Sequence, residues 1–146
     1  MSVNEAYLGF VFLRGLLGPD VTLQGYAPGG GYRAMAPSTT TPPFWVMSLQ
    51  SPGVDTTTQQ GVRLLANPLF QVRVVGPEAL SAQIASGAER IDTLLGGKDG
   101  LRNQSITGGF IAACIRESSL SSDTLVNGEL STSIGGLYRL TIEQTT

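Results

Sequence analysis

The chain has 146 residues, 41% of them apolar and only 14% charged, with nine Lys and Arg against eleven Asp and Glu for a formal charge of −2. That length suits one domain with its own core, while the absence of histidine and of any block of like charge argues against a phosphate-binding face, a His-based triad and most zinc sites. Nineteen glycines and eight prolines predict many turns and a surface of uncharged polar residues, the kind that partners cover.

Ser2 and Glu5 form a capping-box pattern ahead of Val3, Ala6, Tyr7, Phe10, Leu13 and Leu17, apolar positions at spacings of three and four that predict a helix from Val3 to Leu17. Gly18 and Pro19 stop it. Gly9 and Gly15 lie inside it, each costing up to about 1 kcal/mol relative to Ala, so packing must hold it. Arg14 interrupts the apolar run and no basic segment precedes it, so neither a secretory signal nor a membrane span is expected. From Asp20 to Pro43 the many Gly, Pro, Ser and Thr residues predict a long irregular loop with a short strand near Tyr32 to Ala36.

Phe44 to Leu49 is aromatic and apolar and predicts a buried strand. Gly61 to Gly76 predicts a long strand or two, with Phe70, Val72 and Val74 alternating against Gln71 and Arg73 and an interruption near Asn67 and Pro68. Pro77 and Glu78 suit a helix start, and Leu80, Ile84, Ala88, Ile91 and Leu95 form one apolar stripe ended by Gly96 and Gly97. Lys98 to Ser105 reads as a polar loop, Ile106 to Ile115 as a buried strand, Gly128 as a turn, and Leu137 to Ile142 as the final strand. The order predicts a single α+β domain, residues 1–146, with two helices packed on one face of a mostly antiparallel or mixed sheet.

Chemistry-bearing constellations are scarce. Cys114 lies in an apolar run and reads as a small core residue. Gly29, Gly30 and Gly31 lack the Lys and the strand-to-helix context of a phosphate loop. Glu78, Glu89 and Asp92 share one amphipathic helix and read as its solvated face. Trp45 reads as core. No catalytic, cofactor or metal-binding residue is assigned, and no enzyme activity is expected. Arg33, Arg63, Arg73, Arg116 and Arg139 allow two readings, a solvated sheet face or a contact with a neighbouring subunit, where Arg is enriched and Lys depleted.

Several stretches together resemble the tail-completion family of phage proteins. These are the N-terminal helix, Tyr26 and Tyr32-Arg33 in a Gly/Pro-rich loop, Pro43-Phe44-Trp45-Val46, and Phe70-Gln71-Val72-Arg73-Val74-Val75-Gly76 leading into an Ala-rich helix. The closing strands Gly109-Phe110-Ile111-Ala112-Ala113-Cys114-Ile115-Arg116-Glu117 and Gly135-Gly136-Leu137-Tyr138-Arg139-Leu140-Thr141-Ile142 extend the similarity over nearly the whole chain. The segment from Tyr26 to Phe44 is longer and richer in Gly, Ser and Thr than the family's compact connection.

The resemblance implies a homo-oligomeric, hexameric ring in the tail or neck of a virion, assembled in the host cytoplasm. Such a ring caps the tail tube, ends tube polymerisation and offers a surface for head joining. Its partners would be copies of itself, a tail tube protein and a head-completion or connector protein, with no direct readout of nucleic acid, no membrane and no cofactor. Tyr26, Tyr32, Arg33, Arg73, Lys98, Arg102 and Arg116 are the expected subunit or tube contacts. Other readings are a different neck component, such as a head-closure or adaptor protein, a small-ligand or glycan module using Trp45, Tyr26 and Tyr32, and an acid-dependent hydrolase.

Overall fold

The computed structural model describes residues 5–57 and 63–144. The capping pattern at Ser2, the helix start at Val3, the strand start at Gly61 and Val62, and the side chain of Arg63 lie outside what is described. Among the described residues there are three α-helices, α1 (Glu5–Leu17), α2 (Val21–Tyr26) and α3 (Ser81–Leu94), with strands β1 (Gly31–Arg33), β2 (Phe44–Ser51), β3 (Thr56–Thr57), β4 (Arg63–Leu65), β5 (Leu69–Pro77), β6 (Leu101–Ile106), β7 (Gly109–Val126) and β8 (Glu129–Gln144). The architecture is the expected α+β, with a mixed sheet ordered β1-β2-β5-β8-β7-β6. Within this sheet, β1 runs parallel to β2, and the pairings β2–β5, β5–β8, β8–β7 and β7–β6 are antiparallel. β3 and β4 form a separate two-stranded ribbon.

The period of two in β5 decides which face is covered. Phe70, Val72 and Val74 are buried while Gln71, Arg73 and Val75 are half-exposed, and their cross-strand partners follow suit. Trp45 and Met47 on β2 lie opposite Val74 and Val72, and Tyr138 on β8 lies opposite Phe70. The core joins this face to Leu8, Phe10, Phe12, Leu13 and Leu17 of α1 and to Ile84 and Ile91 of α3. Each such large apolar side chain stabilises the fold by about 1.5–3 kcal/mol through burial. On α1 the buried set includes Leu8 and Phe12, whereas Tyr7, expected inside, is exposed. Gly9 is required by close approach, because a Cβ there would collide with the Phe70 ring, which also meets Phe10 edge to face at 5.0 Å.

The stretch expected to be an irregular loop contains α2. Asp20 caps it, its Oδ2 accepting from the Leu23 N–H at 2.8 Å, and Ala27 and Pro28 end it. The same carboxylate pairs with Arg90 on α3, so the cap is also a tertiary tie. The short strand falls at Gly31–Arg33, slightly earlier than expected. Pro77 closes β5 and Glu78–Leu80 makes a 3-10 turn before α3 begins at Ser81.

The C-terminal half departs most from expectation. The supposed polar loop from Lys98 to Ser105 is a 3-10 turn, Gly97–Asp99, followed by β6. β7 has 18 residues and β8 has 16, so the two closing strands form one long hairpin. Asn127 and Gly128 turn it with φ values of 51° and 79°, the positive pair that a two-residue hairpin of matching twist needs. β8 comes last in chain order among the described strands and yet lies inside the sheet, between β5 and β7.

Candidate interaction surfaces

The seven expected contact residues do not converge. Tyr26 ends α2, where its carbonyl accepts from Gln83 Nε2 at 2.9 Å. Tyr32 and Arg33 lie on β1 at one sheet edge; the Tyr32 hydroxyl donates to the Gly29 carbonyl at 2.8 Å and its ring meets Phe44 edge to face at 6.2 Å. Lys98 in the 3-10 turn and Arg102 on β6 are exposed at the other edge, with Arg102 donating to the Leu101 carbonyl at 3.2 Å. Trp45 is buried beneath Gly31, whose missing side chain leaves room for the indole.

The arginines divide between the two faces. Arg73 and Arg139 lie on the face that the helices leave open. Arg116 lies opposite Tyr138, on the helix side, and Arg33 lies opposite Met47, also on the helix side, with its guanidinium 4.2 Å over the Phe10 ring. Register explains Arg116: the pairing with β8 shifts between Ile111 and Ala113, a bulge that moves the helix-side set from Ile111 to Cys114 and Arg116 and that simple alternation does not anticipate.

On the open face, Arg73 Nη1 donates weakly to Ser133 Oγ at 3.4 Å and its Nε is buried without a partner. Gly135 stands directly across on β8, and a Cβ there would lie 2.8 Å from that of Arg73, so the glycine gives the arginine stem its space. Nearby, Arg139 donates to both oxygens of Glu117 at 2.9 and 3.2 Å and to the Asn67 carbonyl at 2.9 Å. The Arg139 hydrogen bonds hold the Glu117 carboxyl below its ordinary range.

On the helix side, the buried Tyr138 hydroxyl donates to Asp92 Oδ1 at 3.1 Å, and Arg116 Nε lies 3.6 Å from the same oxygen. Burial, reinforced by the Asp92 charge and hydrogen bond, pushes the phenol up, so it stays a donor. Burial likewise pushes the Cys114 thiol up to about 12. These are structural groups with local partners. Among the described residues, no group of three or more His, Cys, Asp and Glu converges as a metal site, and no helix is long and apolar enough to cross a membrane.

Two surfaces escaped the sequence reading. Beyond Cys114, where its pairing with β6 ends, β7 runs on through residues 115–126 with one edge open, and that stretch carries neither Lys nor Pro, the residues that commonly protect an edge. Its hairpin continues past Ser131, the last residue of β8 paired with β5, and exposes Leu125, Val126 and Leu130 at the tip. The second is a groove between α1 and β1, lined by Tyr7, Phe10, Val11, Arg14, Arg33 and Met47. The signal for the tip was apolar residues bracketing Asn127-Gly128 in an otherwise Ser/Thr-rich segment.

No protein-family model and no curated protein sequence matches the chain. Among solved structures, its fold is similar to that of a chain in the virion of a native gene transfer agent particle, with a TM-score of 0.60 at 15% sequence identity, over 90% of this chain and 91% of that one. At that identity the likeness is one of fold.

Proposed function

We propose that this chain is a structural protein of a phage-like virion, located in the tail or neck, where it works by packing against copies of itself and against other virion proteins. The observation that carries this reading is the fold likeness to a virion chain across nine-tenths of both lengths. The scarcity of surface charge and the open β7 edge with its apolar hairpin tip support it, because an unprotected edge and exposed large side chains on a small protein are surfaces for assembly.

Within that role, the chain assembles as a homo-oligomeric, hexameric ring that caps the tail tube, ends tube polymerisation and joins the tail to the head-completion proteins. Termination is steric: one face of the ring accepts the last tube subunits and the other does not repeat the polymerising surface. The same fold likeness supports a head-closure or adaptor ring equally, so the test must separate the two. Light scattering and negative-stain imaging of the purified chain should give a closed ring. Added to polymerising tube protein from the same particle, that ring should halt growth and appear at one tube end. A ring that leaves tube growth unchanged and binds the head connector would favour the adaptor, and a chain monomeric at every concentration would defeat both.

A further inference from the structure

The α1/β1 groove and the β7–β8 hairpin tip both expose apolar side chains and carry opposite charges. The groove has an apolar floor in Phe10 and Met47, an apolar wall in Tyr7 and Val11, which are 54% and 39% exposed, and a cation on each rim, Arg14 on α1 and Arg33 on β1. The Arg33 guanidinium lies 4.2 Å over the Phe10 ring, and a cation held so keeps N–H groups able to meet an acceptor. Among the described residues neither arginine has a carboxylate partner. The tip is a two-sided wedge. Leu125 and Leu130 pair on one side, 70% and 40% exposed, with Asp123 behind them, and Val126 and Glu129 pair on the other. Glu129 has no cation partner among the described residues.

Within one chain the two cannot meet. The groove is built on β1, at one edge of the sheet, and the hairpin lies beyond β5 and β8 toward the other. We infer that the hairpin tip of one copy seats in the α1/β1 groove of the next, its apolar pair against the exposed wall of Tyr7 and Val11, with Asp123 and Glu129 reaching the rim arginines. The contact is head-to-tail, joining two different patches, and such a contact repeats until it closes as a ring. It rests on the ring reading above and supplies that ring's interface: apolar anchors make the affinity, and the paired charges set the register.

Two variant sets test it in the full-length chain. Leu125→Ser with Leu130→Ser should raise the concentration needed for assembly by roughly tenfold or more, with the monomer's melting temperature unchanged because both side chains are exposed. Glu129→Arg and Arg33→Glu should each weaken assembly, and the double variant should recover most of the loss. In a separate double variant, Val11→Cys with Leu125→Cys, mild oxidation should link neighbouring copies into a ladder ending at the ring number, while each single variant should not; buried Cys114 does not compete. A wild type that assembles while every variant assembles equally well, without cross-links, overturns this contact alone. A wild type that never assembles overturns the ring itself.

Discussion

Asp20 and Arg90 stand 70 residues apart in the chain and meet as a bidentate pair, Arg90 Nη2 donating to Oδ1 at 2.8 Å and Nε to Oδ2 at 2.9 Å. Because Oδ2 also caps α2 through Leu23, one carboxylate both starts a helix and fixes it to its neighbour. Asp20→Ala removes both functions and should cost roughly 1–3 kcal/mol in a denaturant titration. Asp20→Asn, which still caps, should cost less.

The same pair predicts an acid-side dependence. The hydrogen bonds from Arg90 hold the Asp20 carboxyl below its ordinary value. Its stabilising contribution is therefore complete above about pH 4, the unfolded carboxylate range, and is lost as pH falls through the lower folded value. Stability measured from pH 6 down to pH 2 should fall less steeply in Asp20→Asn than in the wild type. Parallel curves would show that other carboxylates carry the acid loss.

Two glycines in α1 predict opposite signs for one substitution. Gly15 faces solvent and a Cβ there meets nothing within 4 Å, so Gly15→Ala should stabilise by about 0.5–1 kcal/mol through helix propensity. At Gly9 the added methyl would strike the Phe70 ring, and Gly9→Ala should destabilise by about 1–3 kcal/mol through overpacking. Thermal melts of the two variants side by side decide it.

Cys114 is fully buried, and its thiol is pushed up to about 12. At pH 8 it should be silent to a thiol reagent in the folded chain and react fully in denaturant. A group whose folded value is raised stabilises fully below its unfolded pKa and loses that contribution above it. Cys114→Ala should therefore flatten the decline in stability that begins at the unfolded thiol value, about pH 9, and runs up to the folded value of about 12.

Arg73 separates folding from assembly. Its Nε is buried without a partner and its Nη1 bond to Ser133 is long, so Arg73→Met, which keeps the stem, should change monomer stability by less than about 1 kcal/mol. If the open sheet face contacts a subunit or the tube, the loss should appear in light scattering or in tube capping. An unchanged result in both would leave Arg73 as a solvated sheet residue.

Sequence legibility followed burial. α1 and α3 were readable because each presents one face to the sheet, so apolar residues recur at three and four, and β2 and β5 because half their residues lie under those helices. α2 was missed because six residues are too few to show a period, although Asp20 followed by Leu23 is a fair cap-and-anchor signal. The outer halves of β7 and β8 were missed for the opposite reason. From Ser118 onward α3 borders only residues 119–121 and residues 122–126 run past it, so Ser and Thr occupy both faces and no alternation marks the strand. The interaction residues were harder still. Arg33, chosen for its type, does line the α1/β1 groove, whereas Tyr7, Val11 and Leu125 gain their meaning only from where the fold leaves them.

The interior place of β8 also bears on how the chain is made. Synthesis proceeds from the N-terminus, so a nascent chain completes β5 and β7 while the strand that joins them is still missing, and both present open edges in the interim. The β7–β8 hairpin can form by local contacts once its turn at Asn127 is out, and it then docks on β5 as a unit. The sheet is closed from the middle in one late step, and a product cut short before Tyr138 loses the joint between its two halves, not a dispensable rim.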